Sequence, residues 1–328
     1  MQQNIMILAF VVFMIISFLM YTDYLNIFYE DRIHPLITEL GSGFNKPVKN
    51  NDNQFVWTYL EEPEDLDKDI NIQLLNKKKN FTILFSMCLQ IMNNKINKKY
   101  NSFRVVSPEN IKQYLPDFPI EMNSKSKYSL KFRVDLLSSM LLSKYGGLFL
   151  SPATLVMKSL DEIMYKLKYN YDLITFGGSE RVINSCNNKN NPGNYVIAAR
   201  KNNAVITLYR DQMLENLRKD NFINESTGED LLANSISKVS DNKHFHFDCS
   251  YTGNTDIKNN MVKIKQFYGY EPIQFKDKDN IIFIALPYDI ILENIEYQWF
   301  NNLSRDQFFN SNTQLAKLVL GEVTKIKK

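Results

Sequence analysis

Two histidines and an aspartate at alternate positions could together bind a transition metal. They are His244, His246 and Asp248. In a β-strand, alternate residues lie on one face, so two imidazoles and a carboxylate would be brought together there. The same pattern fits an edge strand whose polar face meets water while Phe245 and Phe247 pack inward. The sequence leaves both interpretations open.

Asp135 is a second candidate for chemistry, because it lies inside an apolar helical pattern. The pattern predicts a helix over Leu130–Lys144, ended by two glycines and followed by a short buried strand over Leu148–Leu150. Within that helix, Asp135 could pair with Lys131 four residues earlier, since residues at this spacing are neighbours on the helix surface. It could equally face a ligand.

The spacing around Asp135 resembles a known family. Asp135, Leu136-Leu137, Leu142 and Tyr145-Gly146-Gly147 match the SDLLRxxxLxxYGGxYxDxD block of the glycosyltransferase family that includes capsular polysaccharide synthesis proteins and Och1-like mannosyltransferases. Val56-Trp57-Thr58-Tyr59 resembles the opening strand of that family, and Thr227-Gly228-Glu229 resembles its later "tGP" segment. The similarity covers roughly residues 55 to 240.

The resemblance implies a GT-A-like α/β fold, with a mixed, Rossmann-like sheet covered by helices on both faces. It also implies a nucleotide-sugar donor, a divalent metal such as Mn²⁺ or Mg²⁺, and a glycan or glycoprotein acceptor. The metal would stabilise the charge of the leaving diphosphate. The donor-binding residues expected on this basis are Trp57, Tyr59, Asp135, Gly146, Gly147, Ser151 and Ala153.

The chain departs from the family pattern at its metal motif. Ser151-Pro152-Ala153 stands where Asp-x-Asp is expected, and Ser138 replaces the arginine of the block. Two hypotheses follow. The chain is a glycosyltransferase in which something has replaced the metal, with His244, His246 and Asp248 as a substitute site. Alternatively, it is an inactive relative with a structural or glycan-binding role in a viral or secretory membrane.

Strand-like and helix-like segments alternate behind residue 55, which predicts a largely parallel sheet. The expected strands are Phe55–Tyr59, Ser102–Val106, Leu148–Leu150, Tyr171–Phe176, Tyr195–Ala199 and Ile281–Ala285. The expected helices are Phe81–Asn97, Pro108–Leu115, Leu130–Lys144, Ala204–Leu217, Gly228–Ser237 and Leu303–Leu320.

The N-terminus predicts a membrane anchor. Residues 5–21 carry no charge and would span about 25 Å as a helix. We therefore expect an anchor over residues 1–21, a stem over 22–54 and a glycosyltransferase-like domain over 55–328. The expected localisation is a single-pass type II protein of a Golgi- or ER-like membrane, or of a virion membrane.

Charge and cysteine content argue against several other classes of protein. The net charge of +3 gives no reason to expect nucleic acid as a partner. Three cysteines without a CxxC pair exclude a zinc ribbon and a thioredoxin motif. One disulfide is possible, with one thiol left over, and the sequence does not fix the pair.

Overall fold

A computed structural model describes residues 54–60, 83–96, 101–122, 126–178, 190, 192–219, 227–240 and 242–326. All of them belong to one compact unit, Asn51–Lys328. The predicted anchor, and the predicted stem apart from Gln54, lie outside these residues. Among the residues that the structure describes, no helix is long and apolar enough to cross a bilayer.

The core is a six-stranded mixed sheet in the order β2-β1-β3-β6-β5-β7, accompanied by a two-stranded sheet of β4 and β8. The strands are β1 Gln54–Tyr59, β2 Asn101–Val106, β3 Gly147–Leu150, β4 Thr154–Val156, β5 Leu173–Phe176, β6 Gly193–Ala199, β7 His244–Phe247 and β8 Phe283–Ala285. In the main sheet, β6 runs antiparallel to both of its neighbours, and the other pairs are parallel. The expected α/β class with a parallel-rich sheet is therefore confirmed.

Burial follows position in the sheet. Every residue of the central strands β3, β5 and β6 is buried, as in sheets covered on both faces. The edge strands β2 and β7 are only partly buried. The edge position predicted for the histidine-bearing strand is confirmed.

Helices connect and cover the strands. They are α1 Ile83–Lys95, α2 Ile111–Tyr114, α3 Leu130–Tyr145, α4 Asp161–Tyr169, α5 Ala204–Arg218, α6 Thr227–Lys238, α7 Ile264–Tyr268, α8 Tyr288–Glu293, α9 Ile295–Asn301, α10 Arg305–Asn310 and α11 Gln314–Ile326. A 3₁₀ turn spans Lys278–Asn280.

Helix α3 is bounded by residues that satisfy its free backbone groups. The Ser129 side chain accepts a hydrogen bond from the Phe132 N–H at the start. At the end, Gly146 has a φ of 70° and donates its N–H to the Leu142 carbonyl. Gly147, with a φ of 108°, leaves no space for a side chain, because a Cβ there would lie 2.1 Å from the Phe55 carbonyl oxygen. The glycine pair therefore allows the tight turn from α3 into β3.

Two predicted helices are shorter or divided in the structure. The segment 108–115 is helical only over α2, because the Asn110 side chain accepts from the Ser107 N–H at 2.9 Å and donates to the Val105 carbonyl at 3.0 Å. These local bonds compete with a helical turn. The predicted helix Leu303–Leu320 is two helices, α10 and α11, separated at Asn312, whose φ of 56° is left-handed.

The strand predicted over Ile281–Ala285 does not join the main sheet. Its observed part, β8, pairs antiparallel with β4, with Thr154 opposite Ala285 and Val156 opposite Phe283. The small sheet places residues after β8 directly beside the turn that follows β3.

Candidate active site

A buried ion cluster surrounds Lys131 in the first turn of α3. Its ammonium nitrogen lies 2.9 Å from Asp135 Oδ2 and 3.2 Å from Glu229 Oε1. It also donates to Asn194 Oδ1 at 3.0 Å and lies 5.1 Å from the ring centroid of Tyr195. The i,i+4 pairing of Lys131 with Asp135 that the helix spacing predicts is confirmed.

The elements that hold the cluster meet at the carboxyl edge of the parallel strands. Helix α3 ends where β3 begins, so its first turns, with Asp135, lie towards the far end of β3. Strand β6 is antiparallel, so its first residues, including Asn194, lie at the same edge. Helix α6 brings its N-terminus there: a Cβ on Gly228 would lie 2.1 Å from Asp135 Oδ2. Ligand sites of open α/β sheets lie at this edge.

The cluster is joined to the Ser151-Pro152-Ala153 turn that follows β3. The Ser151 N–H donates to the Tyr195 carbonyl at 2.9 Å, and the Tyr195 hydroxyl donates to Asp289 Oδ1, also at 2.9 Å. Asp289 belongs to α8, which follows β8, and the Leu286 N–H donates to the Ala153 carbonyl at 3.1 Å. The polar cluster and the turn are therefore parts of one site.

Two polar groups of this site make no hydrogen bond of ordinary geometry to any described residue. They are Glu229 Oε2 and the hydroxyl of Tyr288. Glu229 Oε1 is ion-paired with Lys131, and the Tyr209 hydroxyl interacts with Asn194. Glu229 is only 2% exposed, and both tyrosines are fully buried. Buried polar groups are nearly always paired in proteins, so two unpaired groups beside one ion cluster favour a polar ligand here.

Burial and charge set the protonation of the cluster. Burial raises the pKa of Asp135 to about 7, and the charge of Glu229 adds to the rise, although Lys131 opposes it. For Lys131, burial acts to lower the pKa, but Asp135, Glu229 and Asp289 together raise it above its ordinary value. Three carboxylates thus share one ammonium, and the site takes up a proton near neutral pH.

The residues at the Ser151 turn do not fit a divalent metal. Ser151 and Ala153 are fully buried, and the Ser151 hydroxyl is hydrogen-bonded to the Thr154 hydroxyl at 3.0 Å. Ala153 offers no side-chain ligand. Mn²⁺ and Mg²⁺ favour carboxylate and other oxygen ligands, and this turn supplies no carboxylate.

The predicted substitute ligands are not arranged as a metal site either. His244 and His246 share a face, as strand alternation predicts, but both contact the Thr175 hydroxyl, through Nε2 at 2.7 Å and Nδ1 at 3.0 Å. The Asp248 carboxylate accepts from the Ser250 N–H at 2.7 Å. Among the described residues, no group of three or more His, Cys, Asp or Glu side chains could hold a metal ion.

The remaining predicted donor residues lie in two places. Tyr59, at the end of β1, donates to the Met122 carbonyl at 2.7 Å and is buried. Trp57 is fully buried and donates from Nε1 to the Gly146 carbonyl at 2.9 Å. Gly146 and Gly147 lie at the start of β3, whereas Ser151 follows its end, about 13 Å of strand away. The structure links the Ser151 turn to the Asp135 cluster through Tyr195, whereas the glycine pair and Trp57 lie at the other end of β3.

Sequence reasoning missed most of the partners in this site. Asn194, Tyr195, Tyr288 and Asp289 carry no motif that the sequence made visible. Glu229 had a signal, because it ends the Thr227-Gly228-Glu229 segment that resembles the family's "tGP". The structure places that segment against Asp135, so two separate stretches of the resemblance meet in space.

The fold and the site define an α/β protein with a buried polar cluster at the carboxyl edge of its sheet. Residues 79–227 match the family described as capsular polysaccharide synthesis protein. The match confirms the resemblance to capsular polysaccharide synthesis proteins that the Asp135 block predicts. A search of curated proteins finds no match to the chain.

Solved structures of two glycosyltransferases are similar in part. The PaToxG glycosyltransferase is 13% identical, with 65% of this chain and 79% of that chain covered and a TM-score of 0.33. The glycosyltransferase GlyE of Streptococcus pneumoniae TIGR4 is 10% identical, with a TM-score of 0.41. That comparison covers 84% of this chain and 64% of GlyE.

Proposed function

We propose that the chain is a glycosyltransferase-like protein with a GT-A-like domain, which holds the sugar of a nucleotide-sugar donor at the Lys131 cluster and transfers it to a glycan acceptor. The observation that carries the proposal is the buried ion cluster of Lys131, Asp135 and Glu229, beside which lie the buried hydroxyls of Tyr209 and Tyr288. A sugar presents many hydroxyls, each able to donate and accept, and so could satisfy carboxylate and phenol groups together.

Each group has a distinct part in this proposal. Asp135 and Glu229 accept hydrogen bonds from sugar hydroxyls, and the two tyrosine hydroxyls complete the polar lining. Lys131 keeps the carboxylates together and balances part of their charge. With three carboxylates around one ammonium, the cluster suits a neutral, hydroxyl-rich sugar better than a diphosphate.

Donor binding tests the proposal directly. We expect the full-length chain to bind a UDP- or GDP-sugar in titration calorimetry, with the same affinity in the presence and absence of Mn²⁺. Asp135→Asn should weaken binding about 10- to 100-fold, because a hydrogen bond to a charged group contributes about 1.5–3 kcal/mol. No heat with any UDP- or GDP-sugar would remove the donor-binding proposal.

A buried carboxylate elsewhere in the chain supplies the matched control. Glu322 in α11 is 1% exposed and lies 2.8 Å from the Lys95 ammonium, so it resembles Asp135 in burial and pairing. Glu322→Gln should leave donor affinity at the wild-type value. An equal loss in both variants would indicate general destabilisation rather than a sugar contact.

A second candidate is an inactive relative that serves a structural or glycan-binding role in a viral or secretory membrane. The burial of Ser151 and Ala153 favours it, because the turn that would carry the metal has no ligand and no access. The two candidates differ in turnover. Release of free or transferred sugar from a UDP- or GDP-sugar by the wild type, and not by Asp135→Asn, would exclude the inactive relative.

We also propose that residues 1–21 anchor the chain in a membrane, with residues 22–54 as a stem and the domain 55–328 outside the cytosol. Two features support this. Residues 5–21 are uncharged, and Cys249 is disulfide-bonded, which is typical of oxidising compartments. The full-length chain should stay with membranes after alkaline carbonate extraction, and release into the supernatant would contradict the anchor.

A further inference from the structure

A groove lies at the opposite edge of the sheet from the Lys131 cluster. It has a volume of about 220 Å³ and is formed where β1 and β3 begin. Its walls include Phe55, Tyr145, Lys168, Arg200 and Lys201. Because β3 separates it from Ser151, this groove is distinct from the proposed donor site.

The charged side chains of the groove wall are all basic. Arg200 already has partners within the fold: it donates to the Leu167 carbonyl at 2.8 Å and pairs with Asp172 at 3.1 Å. Lys168 and Lys201 are exposed, and among the described residues neither forms an ion pair. Two ammonium groups are therefore available to an anion, above a floor that includes the aromatic rings of Phe55 and Tyr145.

Two exposed tyrosines extend this surface along α4. Tyr165 and Tyr169 are 61% and 58% exposed, and their ring centroids lie 4.8 Å apart. Lys168 joins the pair to the groove, because it lines the groove and its ammonium lies 5.4 Å from the Tyr169 ring centroid. The groove, Lys168 and the two rings thus form one continuous surface, which we call the α4 surface.

We propose that the α4 surface binds an acidic polysaccharide, with sugar rings packed on Tyr165 and Tyr169 and carboxylates paired with Lys168 and Lys201. Aromatic rings offer an apolar face with a polar tip, which suits the C–H face and hydroxyl rim of a sugar. Among the residues that the structure describes, this surface carries no fully exposed Trp, Phe or Leu side chain of the kind with which membrane-binding surfaces enter the lipid boundary. An elongated, hydroxyl-rich and acidic chain matches it better than a bilayer does. The proposal does not depend on transfer activity.

Affinity electrophoresis of the full-length chain through polygalacturonate tests this binding, with neutral dextran as the comparison polymer. We expect retardation by polygalacturonate only, and weaker retardation at high salt, because exposed charges are screened. Tyr165→Ala with Tyr169→Ala, and separately Lys168→Ala with Lys201→Ala, should each lower affinity at least about tenfold. All four side chains are exposed or half-exposed, so folding should be preserved, and the thermal midpoint checks this.

A matched control uses an exposed tyrosine and lysine elsewhere. Tyr270 is 65% exposed, and Lys265 in α7 is exposed as well. Tyr270→Ala with Lys265→Ala should bind polygalacturonate as the wild type does. Three results would overturn the proposal: equal retardation by dextran, wild-type affinity in either α4-surface variant, or binding to phosphatidylserine vesicles without binding to polygalacturonate.

Discussion

Replacing Asp135 by Asn should change how stability depends on pH. The pKa of this carboxyl is 3.8 in its ordinary state and about 7 in the folded protein. Because the folded pKa is raised, the folded state holds a proton that the unfolded state releases between these values, and stability falls as pH rises through this range. Integrating the titration from pH 5 to pH 8 gives a loss of about 2–3 kcal/mol from this one group.

Asn keeps the shape of a protonated Asp and cannot ionise. The variant should therefore lack the pH-dependent contribution of Asp135 to the free energy of unfolding. Relative to wild type, Asp135→Asn should gain about 2–3 kcal/mol of unfolding free energy on going from pH 5 to pH 8. The raised pKa of Lys131 lies above this range, so its stabilising contribution stays constant across it.

Urea unfolding at several pH values measures the difference. Tryptophan emission is a suitable signal, since Trp57 is fully buried, and reductant should be left out to keep the disulfide at Cys249. The comparison between the two proteins cancels the titration of all other groups. Parallel stability curves for wild type and variant between pH 5 and pH 8 would refute the reasoning, because Asp135 would then not titrate in this range.

Three further substitutions have expected outcomes, each measured by urea or thermal unfolding. Lys131→Met should lower the free energy of unfolding by about 3–5 kcal/mol, because it leaves buried carboxylates without their cation. Lys219→Met, which removes an exposed ion pair, should leave the unfolding midpoint unchanged. Equal destabilisation by the two substitutions would contradict a stabilising role of the Lys131 cluster. Gly228→Ala should lower the free energy of unfolding by about 1–3 kcal/mol, because the new Cβ clashes with the Asp135 carboxylate. Gly321→Ala has nothing within 4 Å of the new Cβ and should stabilise α11 by about 0.5–1 kcal/mol. Trp57→Phe should cost about 1–3 kcal/mol by leaving a buried carbonyl unpaired, and it should not change donor affinity if the indole only supports the turn.

The parts of the fold that could be predicted are those fixed by local sequence. The apolar pattern and the glycine pair give helix α3, its end and strand β3 within a residue or two. The pairing of β4 with β8 joins residues more than a hundred positions apart, and three-residue strands carry no periodic signal. The break at Asn312 depends on one left-handed residue, which an apolar pattern does not reveal.

The site residues likewise fall into a part that local sequence predicts and a part that it does not. The pair of Lys131 and Asp135 follows from helical spacing alone. Asn194 is 63 positions from Lys131, and Asp289 is 94 positions from the tyrosine that holds it. Only the sheet, with its antiparallel β6, brings these side chains to one edge. For the same reason the predicted histidine set could be placed on one strand face, while the nearby Thr175 that contacts both rings could not be foreseen.

The enclosure of the Ser151 turn limits which side chains the turn can accept. Ser151 and Ala153 are both fully buried, and the carbonyl of Ala153 is bonded to the chain beyond β8. A new carboxylate at either position would be an unpaired buried charge, which is strongly unfavourable. Ser151→Asp or Ala153→Asp would therefore destabilise the fold unless the segment after β8 moved away. The packing around this turn therefore favours small, uncharged side chains at both positions.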